Sequence, residues 1–173
     1  MALAIAALAL LSASAAQAQP PVNTTLQGSF QMTGRITVAL HVRGEQVGQH
    51  VSRTWTFTPG CPSGPCSSVT LVRSRATGTD TLTLSESPSG AYMGAGVFYL
   101  PLRCAGKLYP HGERVPFKIA VTVTATAVVN GAVLATAVSA KYRNRSRRNL
   151  TPCVAVLGHD AASYSGTLKP PAP

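Results

Sequence analysis

The densest concentration of charge in the chain is a run of cations between residues 141 and 148. Its five basic side chains supply half of the net charge of +10. Such a run is typical either of a solvated turn or of a patch that docks on polyanions, such as anionic cell-envelope polymers. The sequence contains no recognisable nucleic-acid-binding motif, and aromatic residues, on which bases stack, are only 6% of the chain. No specific nucleic acid partner is therefore predicted. The polyanion-binding candidates are Lys141, Arg143, Arg145, Arg147 and Arg148.

A second candidate is an arginine inside a segment of alternating apolar and polar residues. Counting in steps of two puts Arg53 on the apolar side of that segment, together with Trp55. A guanidinium in a protein core is costly unless it is paired. It can stack on an aromatic ring, pair with Asp80, close one end of the fold or meet an anionic ligand; alternatively it lies at the strand end and reaches water. The ligand-binding hypothesis names Arg53, Trp55 and Tyr99.

The residue types needed for hydrolysis are present but scattered. The chain has only five acidic residues, and their spacing does not indicate the paired carboxylates of a glycoside hydrolase. His159 or His41 could serve as a base, and His41 and His50 are expected to be neighbours across a hairpin, yet no Gly-x-Ser-x-Gly nucleophile turn occurs. The sequence therefore favours a non-enzymatic protein, with an extracellular hydrolase as the alternative. It predicts no catalytic residue, cofactor or metal site.

The four cysteines can pair in three ways. Pro and Gly between Cys61 and Cys66 turn the chain back on itself and favour a local disulfide. Cys104 and Cys153 would then form a second, long-range disulfide. A zinc site is disfavoured, because Cys104 and Cys153 are isolated and far apart in the sequence.

The N-terminus has the pattern of an export signal. Residues 2–16 are apolar and uncharged, and Ala16-Gln17-Ala18 is a small-x-small cleavage site. This predicts a signal peptide over residues 1–18 and a secreted or periplasmic protein, in which disulfides are expected. No later run is apolar and long enough to span a membrane.

Most of the remaining chain consists of period-two segments that predict β-strands. The clearest segment covers residues 35–43, with Ile36, Val38 and Leu40 on one face. Further strands are predicted at 50–58, 68–75, 79–86, 92–104, near 153–157 and at 163–168. The segment 92–104 is either one bent strand or two short ones, with Gly94 and Gly96 at the bend.

Asn130-Gly131 gives the strongest local prediction, a two-residue hairpin turn between two long strands. That turn sets the register of the hairpin, and its apolar face sets the same register independently. The predicted partners are Val129 with Ala132, Ala127 with Leu134, Val123 with Val138, Ile119 with Tyr142, Thr124 with Ala137 and Thr122 with Ser139.

These segments predict a single all-β domain over residues 26–168, preceded by a loose segment at 19–25 and followed by a Pro-rich tail at 169–173. About ten antiparallel strands with one apolar face each must close or stack. Short connections favour an up-and-down β-barrel, and a β-sandwich is the alternative. The cationic run follows the long hairpin, so we expect it to lie exposed at one barrel end as the dominant positive patch.

Export, a single Trp on an early strand, a barrel-like series of strands and a late disulfide together resemble the lipocalin-like (calycin) group. Gly28-Ser29-Phe30 is similar to the Gly-x-Trp near the start of that group, with Phe in place of Trp. The composition also resembles that of exported proteins from GC-rich bacteria. The resemblance implies an exported barrel that binds a small apolar ligand. A docking domain for anionic polymers and an inhibitor or surface-interaction protein are the other expectations, and the oligomeric state is not predicted.

Overall fold

The computed structural model describes residues 23–42, 44–75, 78–154 and 158–170. The predicted signal peptide, most of the segment predicted at 19–25, the end of the strand predicted near 153–157 and the last tail residues lie outside them. None of the described residues forms a helix of the length and hydropathy that a membrane span requires. The strands are β1 (Gly28–Leu40), β2 (His50–Pro59), β3 (Ser68–Arg75), β4 (Gly78–Glu86), β5 (Tyr92–Cys104), β6 (Lys107–Val129), β7 (Ala132–Asn144), β8 (Arg148–Asn149) and β9 (His159–Leu168).

Eight of these strands close into an antiparallel barrel. From β1 to β7 each strand pairs with its successor, and β9 pairs with both β7 and β1. This order is the predicted up-and-down barrel, which is confirmed over the sandwich. The two-residue strand β8 pairs only with β6. The barrel has fewer strands than the predicted number of about ten, because β5 is a single strand and the described residues at 153–154 form none.

The long hairpin of β6 and β7 forms as predicted. Asn130 and Gly131 have positive φ angles of 50° and 79°, as a tight two-residue turn requires. Five of the six predicted pairs are confirmed, namely Val129 with Ala132, Ala127 with Leu134, Val123 with Val138, Ile119 with Tyr142 and Thr122 with Ser139.

One predicted pair of that hairpin is wrong. Ala125, not Thr124, lies opposite Ala137. A bulge at Thr124 in β6 shifts the register by one residue, and a bulge at Thr136 in β7 shifts it back. The pairing predicted from the turn therefore holds on both sides of the irregularity.

The first strand differs from its prediction at both ends. It begins at Gly28 rather than near Arg35 and stops at Leu40. A register shift between Ile36 and Val38 reverses which of the following residues face the barrel interior. Leu40 is therefore 48% exposed, whereas Ala39 packs against the core. The predicted alignment of Val38 and Leu40 with Ile36 is therefore wrong.

The two ends of the barrel differ in content. We call the end where β1 finishes and β2 begins the mouth, and the opposite end the base. The base is packed with apolar side chains, including Phe30 and Phe57, whose rings meet edge to face at 5.4 Å. Leu26 is buried, and Thr25 exchanges two backbone hydrogen bonds with β7. The C-terminal part of the segment predicted to be loose is thus bound to the base.

Inward-facing glycines make room for large side chains on neighbouring strands. A Cβ added at these positions would lie within 2.6 Å of the facing residue's side chain. Of the two alternatives for 92–104, β5 is a single strand, and its register irregularity lies between Leu100 and Leu102. The facing pairs are Gly34 with Tyr164, Gly166 with Met32 and Gly96 with Phe117.

Both predicted disulfides are confirmed. Cys61–Cys66 closes the loop between β2 and β3 at the base. Cys104–Cys153 joins the end of β5 to the segment between β7 and β9, beyond the mouth. The described cysteines therefore include no free thiol.

Candidate functional site

The interior of the barrel at its mouth contains a cavity of about 390 Å³, which we call the cup. Alternation along β2 and β3 points Arg53, Arg73 and Arg75 inward here, in place of the apolar residues that fill the base. A fourth arginine, Arg147, reaches the cup from the segment after β7. The wall also contains four aromatic residues, Trp55, Phe98, Tyr142 and Tyr164.

One ion cluster joins β3 and β4 inside the mouth. Arg73 lies directly opposite Asp80, and its Nε and Nη2 donate to the two carboxylate oxygens at 2.7 and 2.9 Å. Arg75 Nε donates to the same carboxylate at 2.7 Å. The two guanidinium groups also lie 4.0 Å from the ring centres of Phe117 and Phe98, respectively. Two arginines therefore share the carboxylate of Asp80.

A second cluster centres on Arg147 on the other side of the cup. Its Nη1 donates to Glu113 at 3.2 Å, and its Nη2 donates to Asp160. Burial alone would lower the pKa of Arg147, but hydrogen bonds and attraction from Asp160 and Glu113 outweigh burial and raise it. The backbone N–H of Asp160 donates to Asn144 Oδ1 at 3.2 Å. This cluster carries one more carboxylate than arginine.

Arg53 is the most weakly bound of the four arginines that line the cup. Its Nη1 donates to the carbonyl oxygen of Ser52 at 2.8 Å, and it makes no ion pair within the described part of the chain. Glu45, in the loop between β1 and β2, also lines the cup. Burial, reinforced by the charge of Asp160, raises the pKa of Glu45. The Glu45 Oε2 atom is buried without a hydrogen-bond partner among the described residues.

The aromatic side of the cup is built around Trp55. Its ring centre lies 5.1 Å from that of Tyr164, and both rings line the cup. Burial raises the pKa of Tyr164 and of Tyr142, so both phenols are neutral across the physiological range. The cup thus places a neutral aromatic surface next to guanidinium groups.

The structure brings together two of the three residues of the ligand-binding hypothesis. Arg53 and Trp55 share the inner face of β2 at the cup. Tyr99 does not join them: it is 44% exposed on the outer face of β5, with its ring centre 5.2 Å from that of His111. Asp80 pairs with Arg73 and Arg75, so the suggested pairing with Arg53 is wrong.

The cationic run is divided between the inside and the outside of the barrel. Arg147 is 7% exposed and ion-paired, so the expectation that the whole run is an exposed patch is wrong for this residue. The other four cations are exposed. Lys141 and Arg143 lie on the outer face of β7 near its mouth end, because alternation turns Tyr142 inward between them.

The candidates for hydrolysis are not gathered at the cup. His50 pairs with Arg35, so the expected neighbourhood of His41 and His50 across the hairpin is wrong. His41 lies just beyond β1 with a positive φ of 51°. His159 pairs with Leu40 at the start of β9. Within the described ranges, no group of three His, Cys, Asp or Glu side chains is placed to hold a metal ion.

Sequence reasoning missed Arg73, Arg75 and Asp160 as site residues. The sequence did contain a signal for Arg73 and Arg75, because alternation in the predicted strand puts them on the same face as Val69 and Leu71. The role of Asp160 depends on the closure of β9 against β1 and β7, which the pattern of one strand does not show.

Comparison with known proteins gives no relative from which a role could be transferred. No family model matches the chain, and no curated protein and no solved structure matches it.

Proposed function

We propose that this protein binds a small organic anion with a flat apolar body in the cup, without chemical conversion. The observation that carries the proposal is the combination of four arginines and an aromatic wall in one interior cavity. Its volume of about 390 Å³ lies in the range of ligand sites, which are mostly apolar with a few polar groups that fix orientation.

The positive side of the cup favours an anion. On the β2–β3 side, Arg73 and Arg75 both pair with Asp80, and Arg53 lines the cup without an ion pair among the described residues. Guanidinium groups match the planar geometry of carboxylates and related anions. Arg53 makes no ion pair in the described residues, so we assign it the main contact with the anionic group.

The opposite side favours a ligand that also makes polar contacts. Arg147 Nε and Glu45 Oε2 are buried and have no hydrogen-bond partner in the described ranges. Buried polar atoms are normally hydrogen-bonded, to protein, water or ligand. A ligand with a second polar group could satisfy one of them while its apolar body packs against Trp55 and Tyr164.

The same observations support two wider proposals. Eight strands enclose an interior that can hold one small ligand, as in lipocalins, which supports the resemblance to that group. Two disulfides support export to an oxidising compartment. We therefore infer an exported binding protein of lipocalin-like design.

Titration with anilinonaphthalene sulfonate, an aromatic anion, tests the proposal. Trp55 is the only tryptophan and lines the cup, so binding there quenches its fluorescence and transfers its excitation to the probe. We expect saturable binding that weakens about tenfold or more in Arg53→Gln, since hydrogen bonds to charged groups contribute about 1.5–3 kcal/mol. Arg35→Gln, which removes an exposed arginine of β1, is the matched control and should bind normally.

Two results would contradict the proposal. One is equal affinity of the Arg53→Gln and Arg35→Gln variants for the sulfonate. The other is tighter binding of the uncharged analogue phenylnaphthylamine, which would favour the purely apolar ligand expected from the sequence.

A further inference from the structure

Charge is distributed unequally between the inside and the outside of the barrel. Of the five acidic residues, Asp80, Glu113, Asp160 and Glu45 lie at the mouth, three of them in ion pairs and Glu45 lining the cup. Glu86 is the exposed one. The outer wall carries many cations, including Arg35, Arg103, Lys107, Lys118, Lys141, Arg143, Arg145 and Arg148. Among the described residues, the excess of positive charge is therefore carried by the outer surface.

Part of this surface forms a groove across β5, β6, β7 and β9. Two hollows of about 620 and 550 Å³ adjoin there and share Ala95, Lys118 and Arg143. Lys141 borders the first hollow and Arg145 borders the second. We call this feature the basic groove. It lies on the outer side of the wall, apart from the cup.

The register of β6 and β7 places like charges against each other in the basic groove. Lys118 lies directly opposite Arg143, and Lys141 is opposite Ala120 two residues along the strand. Like charges at directly opposed positions destabilise a sheet. No ion pair in the described residues involves these three cations. An anion bound across them would relieve the repulsion.

The floor of the groove consists of small side chains. Ala95, Ala120 and Ala161 line it, and Met93, which is 50% exposed, lies at its edge. A floor of this kind lets a chain lie close to the backbone and gives its carbon atoms an apolar contact. The aromatic rings among the lining residues, Phe117 and Tyr142, are buried and offer no surface on which a nucleobase could stack.

We propose that the basic groove binds a linear polyol phosphate, specifically a poly(glycerol phosphate) chain. Cations on one face of a strand recur about every 7 Å, and those on adjacent strands lie about 5 Å apart. The three-carbon bridge between successive phosphates of such a polymer, when extended, covers a comparable distance. A concave groove favours a flexible chain over a flat lipid surface, and the lack of exposed aromatic rings among the residues that line the groove favours a chain without bases.

Binding of dye-labelled oligo(glycerol phosphate) to the full protein, measured by fluorescence anisotropy, tests this proposal. We expect binding at about 50 mM salt that is lost steeply by about 200 mM, because bound phosphates release counterions. Lys118→Ser with Arg143→Ser should weaken binding about tenfold at low salt and make its salt dependence shallower. Arg103→Ser with Lys107→Ser removes the same two residue types elsewhere on the surface and should change affinity less than twofold.

Several outcomes would overturn the proposal. Equal losses in the two double variants would mean that only net charge matters. Binding of single-stranded DNA more tightly than the polyol phosphate, or of phosphatidylglycerol vesicles with the same sensitivity to Lys118 and Arg143, would assign the groove to another partner. The tryptophan titration of the cup is a separate readout, so failure of either proposal leaves the other testable.

Discussion

The cup and the basic groove hold their basic side chains in opposite ways. In the cup, Arg73 and Arg147 are nearly buried, and each is held by carboxylates. In the groove, Lys118 and Arg143 are exposed and face each other with no carboxylate partner within the described residues. A buried charge needs a partner, because desolvation costs several kcal/mol per ion, whereas an exposed one is already compensated by water. Three of the four carboxylates at the mouth, those of Asp80, Glu113 and Asp160, meet this requirement by pairing with arginines.

The largest expected effect separates two arginines that are two residues apart. Arg147→Met leaves Asp160 and Glu113 without their cation in a buried site, so the free energy of unfolding should fall by about 3–5 kcal/mol. Arg145→Met changes an exposed residue and should stay within about 0.5 kcal/mol. Urea denaturation at neutral pH measures both. Similar values for the two variants would show that the cup and the outer wall do not differ as described.

The next effect concerns the disulfide that holds the segment carrying Arg147. Cys104–Cys153 closes a loop of 49 residues, and on the chain-entropy model replacing both cysteines with Ser costs about 4 kcal/mol. The double variant should also bind the sulfonate probe more weakly, because the segment after β7 is no longer anchored to β5. Oligo(glycerol phosphate) binding by the folded fraction should persist, since Lys118, Lys141 and Arg143 lie in β6 and β7. Loss of both activities in folded protein would contradict this separation.

A matched variant tests whether the position of the disulfide matters. Replacing Cys61 and Cys66 with Ser opens a loop of 5 residues at the base, which costs about 2 kcal/mol on the same model. Neither the cup nor the groove includes this loop, so both binding activities should be unchanged in the folded protein. Weaker probe binding in this variant would mean that the effect arises from general destabilisation.

Local sequence signals predicted most of the barrel but only part of the cup. The Asn130-Gly131 turn and its apolar face predicted the register that opposes Ile119 and Tyr142. The same register brings Lys118 against Arg143, so this opposition of two cations followed from the hairpin prediction, although the groove around it did not. Bulges at Thr124 and in β1 depend on fitting strands around a closed barrel, and alternation within one strand does not show them.

The cup was harder to predict because its contacts join distant parts of the chain. Arg147 reaches Glu113 and Asp160 across sequence separations of 34 and 13 residues. A cationic run in sequence gives no sign that one of its members turns inward. The small number of acidic residues was informative, because each buried arginine had few carboxylates with which it could form an ion pair.

The smallest expected effect concerns Glu45. Its carboxyl is partly buried, unlike the exposed cations of the groove, but it makes no ion pair among the described residues, unlike the arginines of the two ion clusters. Because burial raises its pKa above the usual 4.5, the folded protein binds more protons than the unfolded chain between the two pKa values. Stability contributed by Glu45 therefore falls as pH rises through the interval that begins near 4.5. Glu45→Gln cannot ionise, so it should become more stable than the unmodified protein above this interval, by about 0.5 kcal/mol or less for a partly exposed group.

The same substitution should strengthen anion binding in the cup at neutral pH, because a sulfonate stays ionised and no longer meets the Glu45 carboxylate. Below the interval, the variant and the unmodified protein should bind the probe equally, since Glu45 is then protonated. Tryptophan-quenching titrations across pH measure this convergence, and Glu86→Gln, at an exposed carboxyl remote from the cup, should show no difference at any pH. If the Glu45→Gln and unmodified proteins bind the probe with equal affinity at every pH, Glu45 does not face the bound anion.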